Sequence, residues 1–270
     1  MPLLSKSDCE SNYSRQYNSQ LHGLGATRAN LLRLLRSLDL VSWSTHEESG
    51  RLDRRAFTRF ATGSTAVFSK REVGEAETSA VSILIDCSGS MMDYGRINIA
   101  ESVTIQLARL LDKARVAFCI TGFSGRGKWE DLKGSGSNGI RTQSIRVEHV
   151  QYTPFKTWKE NLAKASAKLG AIAQCTWGST PDYSAIRLKL EELASREEKR
   201  KIMFLITDAD GYDQVHMQHL QSFADKQHIK IIAIGIGRTD VNKCFTNGED
   251  VSNVHDLAGA SFNKLLNELR

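Results

Sequence analysis

Asp86, Ser88 and Ser90 stand two apart at the end of an apolar run, Val81-Ser-Ile-Leu-Ile-Asp86-Cys-Ser88-Gly-Ser90. Alternate residues of an extended chain point the same way, so one carboxylate and two hydroxyls can converge on one point at the strand's C-terminal end. Small oxygen donors of mixed charge suit a hard cation such as Mg2+, with waters in the remaining positions. Asp and Ser after a strand are also ordinary turn formers, so the motif needs support from elsewhere in the chain.

Two further segments supply it. Lys201-Ile-Met-Phe-Leu-Ile-Thr207-Asp208-Ala-Asp210 reads as a second buried strand that ends in acid. Asp208 is the first carboxylate beyond the apolar run and is expected level with Asp86, as a distal ligand acting directly or through a water. Asp210 is its competitor. Gly178-Ser-Thr180-Pro181-Asp182 reads as a loop before a helix. Pro181 suits a first helical position, which puts Thr180 at or near the N-cap, where its hydroxyl either caps the helix or turns to the metal. The expected metal set is therefore Asp86, Ser88, Ser90, Thr180 and Asp208, holding Mg2+ or another divalent cation such as Mn2+. Two carboxylates neutralise such an ion and leave a position open to a partner's Asp or Glu, or to a water. That is a docking device, and no catalytic residue is expected on this chain.

The elements that must position these residues follow from the hydropathy pattern. From residue 79 onward it predicts a strand over 80–86, a helix over 96–113 and a strand over 116–123. A Gly/Ser-rich loop follows at 124–139, then a strand over 144–152 and helices over 156–172 and 183–196. Continuous apolar runs at 201–207 and 229–236 are strands of the doubly covered parallel type, and a last helix spans 256–269. Strands alternating with helices predict an α/β fold: one open, mostly parallel sheet with helices on both faces. In such sheets ligands sit at the strands' carboxyl ends, near a switch in strand order. Upstream, residues 1–26 are expected to be a mobile arm. An amphipathic helix is expected over 27–38, a short helix over 52–60, a β-like segment over 65–70 and a charged linker over 71–78. This divides the chain into a small helical N-terminal extension with its linker, 1–78, and an α/β domain, 79–270.

Composition excludes several classes. The net charge of +5 over 270 residues is spread through the chain without a long basic run, so nucleic acid is not an expected partner. No stretch approaches the ~20 apolar residues of a membrane span. The polar start MPLLSKSDCESNYSRQ has no signal-like apolar core, and a cytoplasmic location is expected. Five scattered cysteines form no disulfide framework. Gly122-Phe-Ser-Gly-Arg-Gly127-Lys128 matches the spacing of a phosphate loop. However, Trp129 stands where a Mg2+-binding Ser or Thr belongs, and no helix-forming sequence follows. His216 and His219 lack a third zinc ligand at matching spacing.

The three-part pattern resembles the metal-ion-dependent adhesion site of a von Willebrand factor A (VWA) domain. More narrowly, Ile83-Leu-Ile-Asp-Cys-Ser-Gly-Ser-Met91, Ala100 and Gly122-Phe123 resemble the VWA domain of the cobaltochelatase subunit family CobT. So do Ile232-Ala-Ile-Gly-Ile-Gly237, Asp240-Val241 and Asp256-Leu-Ala-Gly-Ala260. Upstream, Gly50-Arg-Leu-Asp53, Arg59 and Thr62 resemble the segment that precedes that domain. The likeness spans about residues 50–270. It implies a VWA subunit that works with an AAA+ ATPase of MoxR type (CobS) and a large chelatase subunit, in assemblies that include rings. Together these insert Co2+ into a corrin ring during cobalamin biosynthesis at the expense of ATP. Members of that family carry an acidic N-terminal stretch that residues 1–78 lack. A second expectation is therefore a VWA partner of a MoxR-type ATPase that remodels or assembles a different target.

Overall fold

The structure is a computed structural model that describes residues 5–18, 41–47, 51–52, 68–73, 79–136, 139–208, 212–237 and 241–251. The helices expected over 27–38, 52–60 and 256–269 fall almost wholly outside these residues, as do Arg59, Thr62, Asp210 and Asp240.

Where a mobile arm was expected, the chain forms helix α1 (Lys6–Asn18). Cys9 and Tyr13, four residues apart and so on one face, are its buried side chains. Polar bonds complete the docking. Asn12 Nδ2 donates to Glu101 Oε1 at 2.7 Å and to the Gly170 carbonyl at 3.0 Å, and Ser102 Oγ donates to Gln16 Oε1 at 2.9 Å. Periodicity missed this helix because so little of its face is apolar. Strands β1 (Val41–Glu47), β2 (Arg51–Leu52) and β3 (Phe68–Val73) then form a small antiparallel sheet in the order β1-β3-β2. The expected β-like segment and the start of the expected linker both contribute to β3.

The described residues of the main domain form a six-stranded sheet in the order β6-β5-β4-β7-β8-β9. Its strands are β4 (Ser79–Asp86), β5 (Ala117–Gly136), β6 (Gly139–Lys156), β7 (Arg200–Thr207), β8 (Ile229–Ile236) and β9 (Gly248–Val251). All neighbours run parallel except β5 and β6. Connecting them are α2 (Arg96–Lys113), α3 (Leu162–Leu169), α4 (Asp182–Ala194), α5 (Gln214–Lys226) and the short α6 (Val241–Cys244). Alternation along the strands splits the core in two. Val81, Ile83 and Ile85 join α1, α2 and α3 on one face, whereas Ala80 and Leu84 join α4, α5 and α6 on the other. Covered on both sides, β4 is buried at every residue, which is why it reads as an unbroken apolar run.

The segment expected as a Gly/Ser-rich loop is instead the far half of a long ribbon. β5 and β6 pair in register from Thr121–Pro154 out to Gly136–Gly139. Propensity alone argues against strands so rich in glycine. The ladder forms because two antiparallel segments close in sequence can satisfy each other's backbone groups.

Candidate functional site

The chain leaves β4 for β5 on one side and later returns to β7 on the other, so strand order switches at β4. The carboxyl end of β4 is therefore the crevice where this architecture places ligands. Asp86 ends that strand and is fully buried. Ser88 N–H donates to its Oδ1 at 2.8 Å and Thr207 Oγ1 to its Oδ2 at 2.9 Å. The Ser88 and Ser90 hydroxyls are 3.0 Å apart. The structure thus brings Asp86, Ser88 and Ser90 together through a short chain of hydrogen bonds.

Burial pushes the Asp86 carboxyl up to about 6, with a further rise from the charge of Asp208 and with partial relief from the Ser88 and Thr207 bonds. Among the described residues no cation pairs with it. Asp208 lies close enough for that repulsion, but one residue beyond the expected level. Ile85 pairs with Ile206, so Thr207 stands beside Asp86 and Asp208 follows it. Parallel register decides this. Asp208 accepts from Arg96 Nη1 at 2.9 Å, with its own side chain 1% exposed. Asp210 lies outside the described residues.

Thr180 follows a loop whose backbone is bonded to the turn after β4 and to β5. Trp177 N–H bonds to the Cys87 carbonyl, Gly89 N–H to Gly178, and Ser179 exchanges both backbone bonds with Gly125. The end of β4, strand β5 and the loop before α4 are thereby stitched together. Gly178 makes the close approach possible: its φ is +74°, and a Cβ there would lie 2.1 Å from the Gly125 carbonyl oxygen. Helix α4 starts at Asp182 with Pro181, not Thr180, as its N-cap and no side-chain capping bond. The Thr180 hydroxyl is therefore not the cap.

Three residues at the site were not singled out from sequence. Thr207 orients Asp86 and in turn accepts from the Tyr212 hydroxyl at 3.1 Å. The nearby charges of Asp182, Asp86 and Asp208 add to burial in holding the Tyr212 hydroxyl protonated. Arg96 begins α2, where a cation opposes the helix dipole, and that misplaced sign was the legible signal. Conversely, Gly122–Lys128 runs extended within β5, paired from Gly122–Thr153 to Lys128–Val147, without the loop and helix a phosphate site needs. His216 and His219 lie exposed on α5, and His216 faces Asp213 at 3.5 Å. Among the described residues no three His, Cys, Asp or Glu cluster as a metal group. The donors gathered here are carboxylate and hydroxyl oxygens, a set that fits a divalent ion. Among the described residues no helix is long and apolar enough to cross a membrane.

A family model described as the VWA domain of the cobalamin biosynthesis protein CobT matches residues 67–269. No curated protein matches the chain. Among solved structures, a von Willebrand factor type A protein from Catenulispora acidiphila is 13% identical over 74% of this chain, with a TM-score of 0.46. The match spans 44% of that protein's length. BatB from Bacteroides thetaiotaomicron is 15% identical over 70% of this chain and 98% of its own, with a TM-score of 0.47. A mussel byssus matrix protein with a zinc-occupied MIDAS motif is 18% identical over 70% of this chain and 45% of its own, at 0.47.

Proposed function

The chain belongs to the family of the CobT VWA domain of cobalamin biosynthesis, and from that premise we propose that it is a non-catalytic subunit of an ATP-dependent cobalt chelatase. In this reading it assists the insertion of Co2+, the reaction's cargo, into a corrin ring by Mg2+-dependent docking to a MoxR-type AAA+ ATPase and to the chelatase subunit. The observation that carries the docking mechanism is Asp86: a buried carboxylate at the switch point, ringed by hydroxyls, with no cation paired to it among the described residues.

This chain's residues divide the work. Asp86 supplies negative charge and is aimed by Ser88 N–H and Thr207. Ser88 and Ser90 present neutral oxygens, Thr180 is carried in by the stitched loop, and Asp208 adds a second carboxylate at the rim. When bound, Mg2+ would supply a Lewis-acidic centre with a position open to a partner's Asp or Glu. Burial of the first carboxylate matters because a charge pair shielded from water is screened little by salt.

The test is capture of the purified ATPase and chelatase subunits by the full chain, in Mg2+ and in EDTA. Complex formation is expected to need Mg2+ and to be lost in Asp86→Ala, with Ser88→Ala, Ser90→Ala and Thr180→Ala weakening it. Metal-independent capture that survives Asp86→Ala would place the contact elsewhere and overturn the mechanism. Capture of the ATPase without the chelatase subunit would favour a remodelling partner acting on another target.

A further inference from the structure

Arg96 is built into the site as an internal cation. Its guanidinium donates from Nη1 to Asp208 Oδ2 at 2.9 Å, and its own side chain stays 25% exposed, so it reaches from the surface to a buried carboxylate. Its position is not one the helix favours. Arg96 is the first residue of α2, where the free N–H groups and the helix dipole repel positive charge. Nor does the preceding residue cap the helix with a side chain, since it is Gly95 at φ +69°. The attraction of Asp208 offsets that cost.

The surroundings give the side chain another place to rest. The Tyr94 ring lies 5.7 Å from the guanidinium carbon and is 93% exposed. An aromatic face at that distance attracts a guanidinium that has left its carboxylate. On the other side lies Gly237, where a Cβ would stand 3.6 Å from Nε, so no side chain there blocks the movement. The backbone just upstream is jointed. Asp93 is extended and Tyr94 left-handed, which breaks the 3-10 turn Gly89–Gly95 immediately before Arg96.

We infer that Arg96 is a tethered cation that competes with the divalent ion for Asp208, so that metal binding requires Arg96 to leave that carboxylate. The inference rests on the metal-site reading above. With Arg96 in place, one of the two carboxylates is already neutralised, and a guanidinium charge stands beside the metal's seat. Both effects lower the affinity for a divalent ion. The site is therefore tuned to bind weakly and reversibly, as suits a docking contact that forms and breaks.

The experiment is calorimetric titration of the full-length protein with MnCl2 and with MgCl2, comparing wild type, Arg96→Gln and Asp86→Ala. Removing the competing charge is expected to tighten metal binding at least about tenfold, while Asp86→Ala binds no metal. Equal affinities in wild type and Arg96→Gln overturn the competition and leave the metal site standing. Weaker binding in Arg96→Gln also overturns it, since Arg96 would then be holding Asp208 in place for the ion. Absence of binding in both proteins defeats the metal-site reading itself, and the inference falls with it. Should Arg96→Gln fail to fold, the wild-type protein decides. Its Arg96 Nε–H resonance, assigned by its loss in Arg96→Lys, is expected to shift on saturation with Mg2+. A resonance unmoved by saturating metal overturns the proposal.

Discussion

Asp86 is a carboxylate folded into a place that does not favour its charge. Burial is the largest cause that pushes its carboxyl from the ordinary 3.8 up to about 6. The native state therefore holds a proton that the unfolded chain releases. The stability that proton contributes is fully present below about pH 4 and is lost as pH rises through about 6, a change of about 3 kcal/mol. Urea denaturation in EDTA is expected to show wild type losing stability across that window, while Asp86→Asn, with nothing to titrate there, lacks the slope. Because Mg2+ binds the native state and requires the ionised carboxylate, saturating metal is expected to restore wild-type stability at neutral pH. The same residue thus opposes folding without metal and rewards it with metal.

At the scale of elements, the site depends on loops that bond to one another. The turn after β4, strand β5 and the segment before α4 share five backbone hydrogen bonds: Cys87 to Phe123, Gly89 to Gly178, Trp177 to Cys87, and the Gly125–Ser179 pair. Gly178 is the narrowest point. A methyl group there would meet the Gly125 carbonyl oxygen at 2.1 Å on a backbone already at φ +74°. Gly178→Ala is therefore expected to cost about 1–3 kcal/mol in thermal or chemical denaturation. It is also expected to weaken Mg2+ binding although no ligand is touched, because Thr180 is carried by this loop. Unchanged metal affinity would show that Thr180 has no part in the site.

For the whole molecule, the proposed docking role carries an expectation about nucleotide chemistry. The one sequence spacing that could suggest nucleotide chemistry, Gly122–Lys128, is absorbed into a β-ribbon. The purified chain is accordingly expected to hydrolyse no ATP, as measured by phosphate release with Mg2+ present. Hydrolysis that disappears in Lys128→Ala would restore the phosphate-loop reading.

The parts whose signals are local were legible in the order of residues alone. The apolar runs 80–86, 201–207 and 229–236 read as buried strands because strands covered on both faces need continuous apolar residues, and β4, β7 and β8 match them closely. Asp86, Ser88 and Ser90 were legible together because they share one strand end. What lies between distant segments was decided only in three dimensions. Parallel register put Thr207, not Asp208, beside Asp86. Helix packing brought Arg96 from 112 residues away to Asp208. Polar docking with two buried side chains made a helix of residues 6–18, and cross-strand pairing made a ribbon of a Gly-rich segment. In each case a backbone or charged group took a partner far along the chain, and hydropathy periodicity carries no information about such partners.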